Sequence, residues 1–184
     1  MPNWCTNNLT VTGDFKQVQD FYEKSKNDEG NFSLNGLHPL PSDIDENEAS
    51  AMPGWYSWRV NNWGTKWDVD AVINCEPTET YPTLELSFDS AWSPPVEWLS
   101  HVAALYPELD FRMEYMEPGM AFCGVAIGSG GMVGDEQGEI IETDDDGELV
   151  KYDSEIDKYR YVETDEIIDD EYFYPQYQNS LCNM

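Results

Sequence analysis

Positive charge is scarce in this chain. Nine Lys and Arg stand against 37 Asp and Glu over 184 residues, a formal net charge of −28. Each phosphate contact needs a cation, so direct binding of nucleic acid is disfavoured. Near-neutral bases are as rare: His38 and His101 are the two histidines. His38 precedes Pro39 in an irregular stretch and His101 falls on a predicted helix, so both read as structural. The abundant Asp and Glu supply acid–base pairs by chance, and there is no Gly-rich phosphate loop, nucleophile elbow or HExxH motif. The expectation is a protein that is not an enzyme.

Cysteine chemistry is sparse too. Cys5, Cys75, Cys123 and Cys182 lie far apart without a CxxC pair. They read as reduced, mostly buried thiols, with no metal site and no cofactor. No apolar run approaches the ~20 residues that cross a bilayer. Met-Pro-Asn-Trp-Cys at the N-terminus lacks the basic and apolar regions of a signal peptide. The chain therefore reads as cytoplasmic, with no membrane contact.

What is abundant is acid, unevenly placed. Between Asp135 and Glu171, 17 acids face three bases, Lys151, Lys158 and Arg160. Such self-repulsion opposes compaction and points to solvation or to a basic partner. B-form DNA carries one charge per ~1.7 Å of axis, so the surplus is comparable to roughly 14 base pairs and mimicry of nucleic acid is physically available.

The pattern along the chain predicts its elements. Trp4–Thr12 alternates around Leu9 and Val11 and ends at Gly13, a first strand. Asp14 suits a helix N-cap, followed by Phe15, Val18, Phe21 and Tyr22 at helical spacing. An irregular connection from Asn31 to Pro41 and an acidic insertion from Asp43 to Glu48 precede a Trp- and Asn-rich stretch, Trp55–Trp67, read as a short helix and loop. Ala71–Cys75 and Thr83–Phe88 favour strand. Pro94 and Pro95 open a helix with Val96, Leu99, Val102, Ala103 and Leu105 inward. Asp110–Met116 and Met120–Ile127 form two strands joined by Glu117-Pro118-Gly119.

This order predicts an α+β fold: a ferredoxin-like βαββαβ sandwich, two helices on one face of an antiparallel sheet, plus an extra strand. Gly128–Gly131 reads as the end of the compact part, dividing the chain into a ferredoxin-like domain, residues 1–131, and an acidic hairpin and tail, residues 132–184. The hairpin flanks Asp-Asp-Asp-Gly at Asp144–Gly147. Its spacing from Glu142 to Asp153 loosely fits a calcium loop, but the flanks read as strands and the last position holds Asp rather than Glu. A plain acidic hairpin is the reading.

Four strings are more specific than the fold: PNWCTNNLTVTG from Pro2, WYSWRVNNWGTKWDV from Trp55, FDSAWSPP from Phe88 and EPGMAFCG from Glu117. Together they resemble the YubB-type ferredoxin-like domain family of phages and conjugative plasmids, over roughly Met1–Gly131. The resemblance implies neither an iron–sulfur cluster nor catalytic residues. Its mobile-element setting implies a role in countering host defence.

Two binding surfaces follow. From Ala49 to Lys66 there is no acid, while Arg59 and Lys66 supply two of the bases. The hairpin topology brings Trp63–Asp68 to the same sheet end as Asp89–Pro94. Arg59, Asn61, Asn62, Trp63, Lys66, Trp67, Asp89 and Trp92 then form either a pocket for a planar, anionic ligand such as a nucleotide signal, or a structural lock of Trp rings and Asn amides. Asn3–Cys5 is expected near Glu117–Gly119, at the opposite end. The second surface is the acidic C-terminal segment: Asp144, Asp145, Asp146, Asp165, Glu166, Asp169, Asp170 and Glu171, with Tyr172, Phe173 and Tyr174 as apolar anchors. The leading expectation is a phage- or plasmid-encoded, non-enzymatic inhibitor whose acidic surface mimics nucleic acid on the basic face of a bacterial defence or nucleic-acid-handling protein. The alternative is a small-molecule binder that sequesters a nucleotide signal in the Trp-rich pocket.

Overall fold

A computed structural model describes residues 3–49, 53–144, 146, 148–153 and 155–169, together with the backbone of 176–183. The first strand, β1 (Trp4–Thr12), buries alternate residues, Cys5, Asn7, Leu9 and Val11. That is what a period of two imposes on a sheet covered on one face. Helix α1 (Phe15–Lys24) starts where Asp14 accepts the amide of Lys16 at 3.0 Å, and it buries Val18, Phe21 and Tyr22. The connection that follows contains one turn of helix, α2 (Leu34–Leu37). Asp68 reaches it from a distant loop, accepting the Ser33 hydroxyl at 2.5 Å and the Leu34 amide at 2.8 Å.

Helix α3 (Gly54–Trp63) stops at Gly64, whose φ of 82° is the left-handed conformation that glycine adopts cheaply. Strands β2 (Val72–Cys75) and β3 (Thr83–Ala91), helix α4 (Val96–Leu105), and strands β4 (Asp110–Glu117) and β5 (Phe122–Ser129) complete the first part. Of the expected inward face of α4, Leu99, Val102 and Ala103 are buried and Val96 packs against the core, but Leu105 is 54% exposed at the helix end and Trp98 is buried in addition. Trp98 takes the interior because its indole N–H finds the Leu34 carbonyl at 2.9 Å.

The sheet runs in the order β2-β3-β1-β4-β5 and onward, every pairing antiparallel. Its covered face meets the helices through Leu9, Val11, Leu84, Leu86, Phe111 and Met113. The result is a ferredoxin-like α+β domain with an antiparallel sheet and a few helices.

The sheet does not stop at Gly131. Ser129 pairs with Met132, and Gly130 and Gly131 form the two-residue turn between them, with φ of 60° and 80°. Strand β6 (Met132–Thr143) pairs with β5 along its first eight residues and then with β7 (Leu149–Asp153). Strand β8 (Lys158–Tyr161) pairs with β7, and β9 (Gln176–Asn183) returns to β6. The acidic hairpin is thus an extension of the one sheet. Among the described residues no helix is long and apolar enough to cross a membrane.

The thiol reading needs one correction. Cys5 and Cys75 are free, but Cys123 is disulfide-bonded. Spacing along the chain does not report which segments a sheet brings side by side.

Candidate functional site

The loop after α3 and the end of β3 meet, as their hairpin topology requires. The Thr65 hydroxyl receives the Ala91 amide at 3.0 Å and donates to the Ala91 carbonyl at 3.0 Å. Ser93 donates to the Gly64 carbonyl at 2.5 Å. Between these ties the chain passes through Trp92, whose φ is +69°. For a bulky side chain that is a genuine outlier, held only where surroundings over-determine it. The Asn3 carbonyl completes the hold by accepting the Trp92 amide at 2.9 Å.

That last contact corrects an expectation. Asn3–Cys5 does lie beside Glu117–Gly119, with the Asn3 side chain close against Gly119. This is the same sheet end as Trp92, however, not the opposite one, because β1 runs antiparallel to both neighbours. Trp4 is therefore paired with Ala91 of β3 while Thr6 meets Met116 of β4. Beneath lies a buried polar network. Asn7 Nδ2 donates to the Cys5 carbonyl at 2.8 Å and to Ser90 Oγ at 2.9 Å, and Glu117 accepts the amides of Gly119 and Met120 at 2.9 and 2.7 Å. Burial pushes the Cys5 thiol up to about 12, leaving it a neutral filler rather than a nucleophile.

The eight residues expected around this island divide. Lys66, Trp67 and Trp92 gather at the surface. The Lys66 ammonium lies 4.6 Å from the Trp67 ring, 5.2 Å from Trp92 and 5.6 Å from Tyr56. Asp89 is exposed beside them and accepts the Thr6 hydroxyl at 2.9 Å. Trp63 is fully buried, its indole donating to the His38 carbonyl at 2.8 Å, so it belongs to the core. Arg59 is nearly buried, sits over Trp55 and Trp63, and is ion-paired with Glu46. Asn62 donates to the Trp58 carbonyl at 2.8 Å within its own helix, while Asn61 is exposed on α3. A pocket built on Arg59, Asn62 and Trp63 is therefore not formed; these three are structural.

Two aromatics missing from the expected set complete the surface. Trp4 is 48% exposed, with its ring 6.0 Å from Trp67, and Trp67 lies 6.4 Å from Trp92 at an interplanar angle of 29°. The other is Tyr56. Register was the signal for Trp4: pairing β1 against β3 from Thr12 backwards places it opposite the residue before Trp92.

The acidic extension carries the second surface. Asp144, Asp146, Glu148, Glu163 and Glu166 line an open depression of about 250 Å³, with no cation among the described residues of its walls. Of the expected carriers, Asp146, Asp165, Glu166 and Asp169 are exposed, and Asp144 is half-buried with Oδ1 accepting the amides of Asp146 and Glu148 at 3.0 and 2.8 Å. Asp145, Asp170, Glu171, Tyr172, Phe173 and Tyr174 lie outside the described residues. The cations of this segment are committed: Lys151 to Glu139, Lys158 to Asp169, Arg160 to Asp153 and Asp165. Among the described residues no three His, Cys, Asp or Glu close on a point a metal ion could occupy.

The two histidines form one more constellation. Their rings stack at 3.6 Å and 10°, with His38 Nδ1 buried and unpaired. Burial, then the neighbouring His101, holds the His38 imidazole below its ordinary value, against a hydrogen bond with the Asn62 backbone.

Compared with known proteins, residues 62–157 match the family model described as the ferredoxin-like domain in Api92-like protein. No curated protein matches the chain. The crystal structure of the protein api92 from Yersinia pseudotuberculosis is similar at 21% identity and a TM-score of 0.43, over 58% of this chain and 38% of that one. The family match spans just over half of the sequence, from the end of α3 through β7, and the chain belongs to the family of the ferredoxin-like domain in Api92-like protein.

Proposed function

We propose that this chain is a non-enzymatic binding protein, phage- or plasmid-encoded and acting in the cytoplasm of a bacterial host, whose acidic extension occupies the basic surface of a nucleic-acid-handling or defence protein. The observation that carries the acidic surface is the depression walled by five carboxylates, while the three bases of the same segment are tied to other acids. Unneutralised carboxylates spread over an open surface suit several guanidinium and ammonium groups, as a nucleic-acid-binding face presents them. The choice of a defence protein comes from the YubB-type resemblance alone. In the same reading, β1, α1, β2, β3, α4 and β4 are the βαββαβ unit and β5 onward is its elaboration; the sheet order β2-β3-β1-β4 supports this.

The test is affinity capture from a bacterial lysate, followed by competition: each captured protein, purified, is offered labelled DNA or RNA with and without this chain. Displacement that weakens steeply with salt is expected, and the triple variant Glu148→Lys, Glu163→Lys, Glu166→Lys should abolish it. Affinity unchanged between low and physiological salt would sink the reading.

A further inference from the structure

Lys66 is the unusual cation of this molecule. Seven of the nine bases have a carboxylate within ion-pair distance, Lys24, Lys26, Arg59, Arg112, Lys151, Lys158 and Arg160. Among the described residues only Lys16 and Lys66 do not. Lys16 is exposed on α1 and needs no counter-charge. Lys66 is half-buried, in a chain with 37 acids, and its neighbours are rings: Trp67, Trp92 and Tyr56. Cation–π attraction positions an ammonium without neutralising it. The sequence from Ala49 to Lys66 holds no acid. Asp68 is turned to Ser33 and Leu34 and Asp89 to Thr6, neither within ion-pair distance of Lys66, and the fold adds a third indole, Trp4, beside Trp67.

From this we propose that Trp4, Trp67, Trp92 and Lys66 form a binding site for a planar aromatic compound carrying one phosphate, a nucleoside monophosphate in chemical class. The site shares no residue with the acidic depression and stands independently of the function proposed above. Trp4 (48% exposed) and Trp92 (40%) offer indole surface against which a base can pack, and the ammonium without a carboxylate partner takes the phosphate. The strained backbone at Trp92 points the same way. An outlier φ held by Asn3, Thr65 and Ser93 fixes the residue at the surface, where packing of the core does not call for it.

The same charges decide between ligands. A cationic ligand would have to sit where Lys66 already sits. A nucleic-acid strand brings one phosphate per nucleotide, and the neighbouring open face of the sheet offers it Glu85, Asp89 and Glu114, with Arg112 already tied to Glu114 at 2.6 Å. One free cation supports one phosphate.

The experiment uses the full chain, titrated with adenosine 5′-monophosphate, adenosine, inorganic phosphate and a short deoxyadenylate strand. The readouts are the indole N–H resonances, assigned through Trp→Phe variants, and tryptophan emission. Saturable binding of the monophosphate, moving the Trp4 and Trp92 resonances, is expected. Adenosine should bind about tenfold more weakly, as loss of one charge-assisted contact implies. Lys66→Gln should weaken the monophosphate by about the same factor with an unchanged thermal midpoint, and Lys66→Arg should restore it. The proposal is overturned by no saturation at millimolar monophosphate, by equal binding of adenosine, or by a strand that binds more tightly per site than the monophosphate. The ligand comparison needs no variant, so a Lys66→Gln protein that fails to fold leaves it decisive.

Discussion

Thr65 holds Ala91 with both functions of one hydroxyl, taking its amide and giving to its carbonyl, each at 3.0 Å. The strand residue that precedes the strained Trp92 is thereby fixed from a loop 26 positions away in sequence. Both partners are buried.

Thr65→Val keeps the shape and removes the hydroxyl. It leaves a buried amide and carbonyl unsatisfied, at a cost of about 1–3 kcal/mol each, partly relieved by relaxation. The thermal midpoint should fall by several degrees, at about 2–4 °C per kcal/mol for a chain of this size. The Trp92 indole resonance should broaden or move, while signals of β5 and β6 stay in place. An unchanged midpoint would mean that Asn3 and Ser93 alone hold the turn.

Much of this end of the molecule could be read in advance, for reasons that differ by residue. Alternation in Trp4–Thr12 and the Asp14 cap are local signals, and β1 and α1 match them to the residue. The meeting of Lys66 with Trp92 follows from one hairpin. The status of Trp63 and Arg59 does not: α3 carries aromatics all round, so no stripe marks its inner face, and burial is decided by His38 and Glu46 from other segments. Register with β3 puts Trp4 beside Trp92, and register with β4 puts Asn3 beside Gly119; only the two together show that these turns share one sheet end. Gly128–Gly131 has the composition of a domain boundary, yet Gly130 and Gly131 are what a two-residue hairpin requires.

The His38–His101 stack gives the fold a defined pH response. The folded value of His38 lies below its ordinary one, so in the window between them the unfolded chain binds more protons. Stability from this site is whole above the unfolded pKa of about 6.5 and is lost progressively as pH falls below it toward the folded value. The groups facing it are His101, the ring of Trp58 and the Asn62 backbone, none of them an anion that could hold the proton. His38→Gln should flatten the stability–pH curve between about pH 7 and pH 5 relative to the parent, measured by chemical denaturation. Parallel curves for the two proteins would refute this.

Glu142 works in the opposite sense. Its carboxyl is buried in β6, Oε2 has no partner, and burial raises its pKa against a hydrogen bond from Tyr159. A raised folded value favours the protonated form, so its contribution is complete at acid pH and is lost as pH rises through the folded pKa. Glu142→Gln keeps the size and removes the charge. It should stabilise the protein at neutral pH by about 1 kcal/mol, read as a midpoint higher by a few degrees, and the gain should vanish in acid. A variant less stable at both pH values would show the carboxylate to be better solvated than its burial implies.

Salt separates the two electrostatic forces in this molecule. Its surface ion pairs, such as Lys24–Asp20 and Arg112–Glu114, are exposed and worth about 0–1 kcal/mol each, and added salt weakens them. The self-repulsion of a −28 chain is weakened as well, since the Debye length shortens to about 8 Å at physiological ionic strength. With four acids for every base, repulsive pairs outnumber attractive ones, so repulsion wins and the thermal midpoint should rise with sodium chloride. The rise should be smaller for the triple variant Asp146→Asn, Glu163→Gln, Glu166→Gln, which removes charge from the acidic depression without touching an ion pair. A midpoint that falls with salt would place the stabilising pairs ahead of the net charge. A variant that responds like the parent would mean that these carboxylates are already far enough apart for water to screen them, and the depression would lose its claim to be a concentrated field.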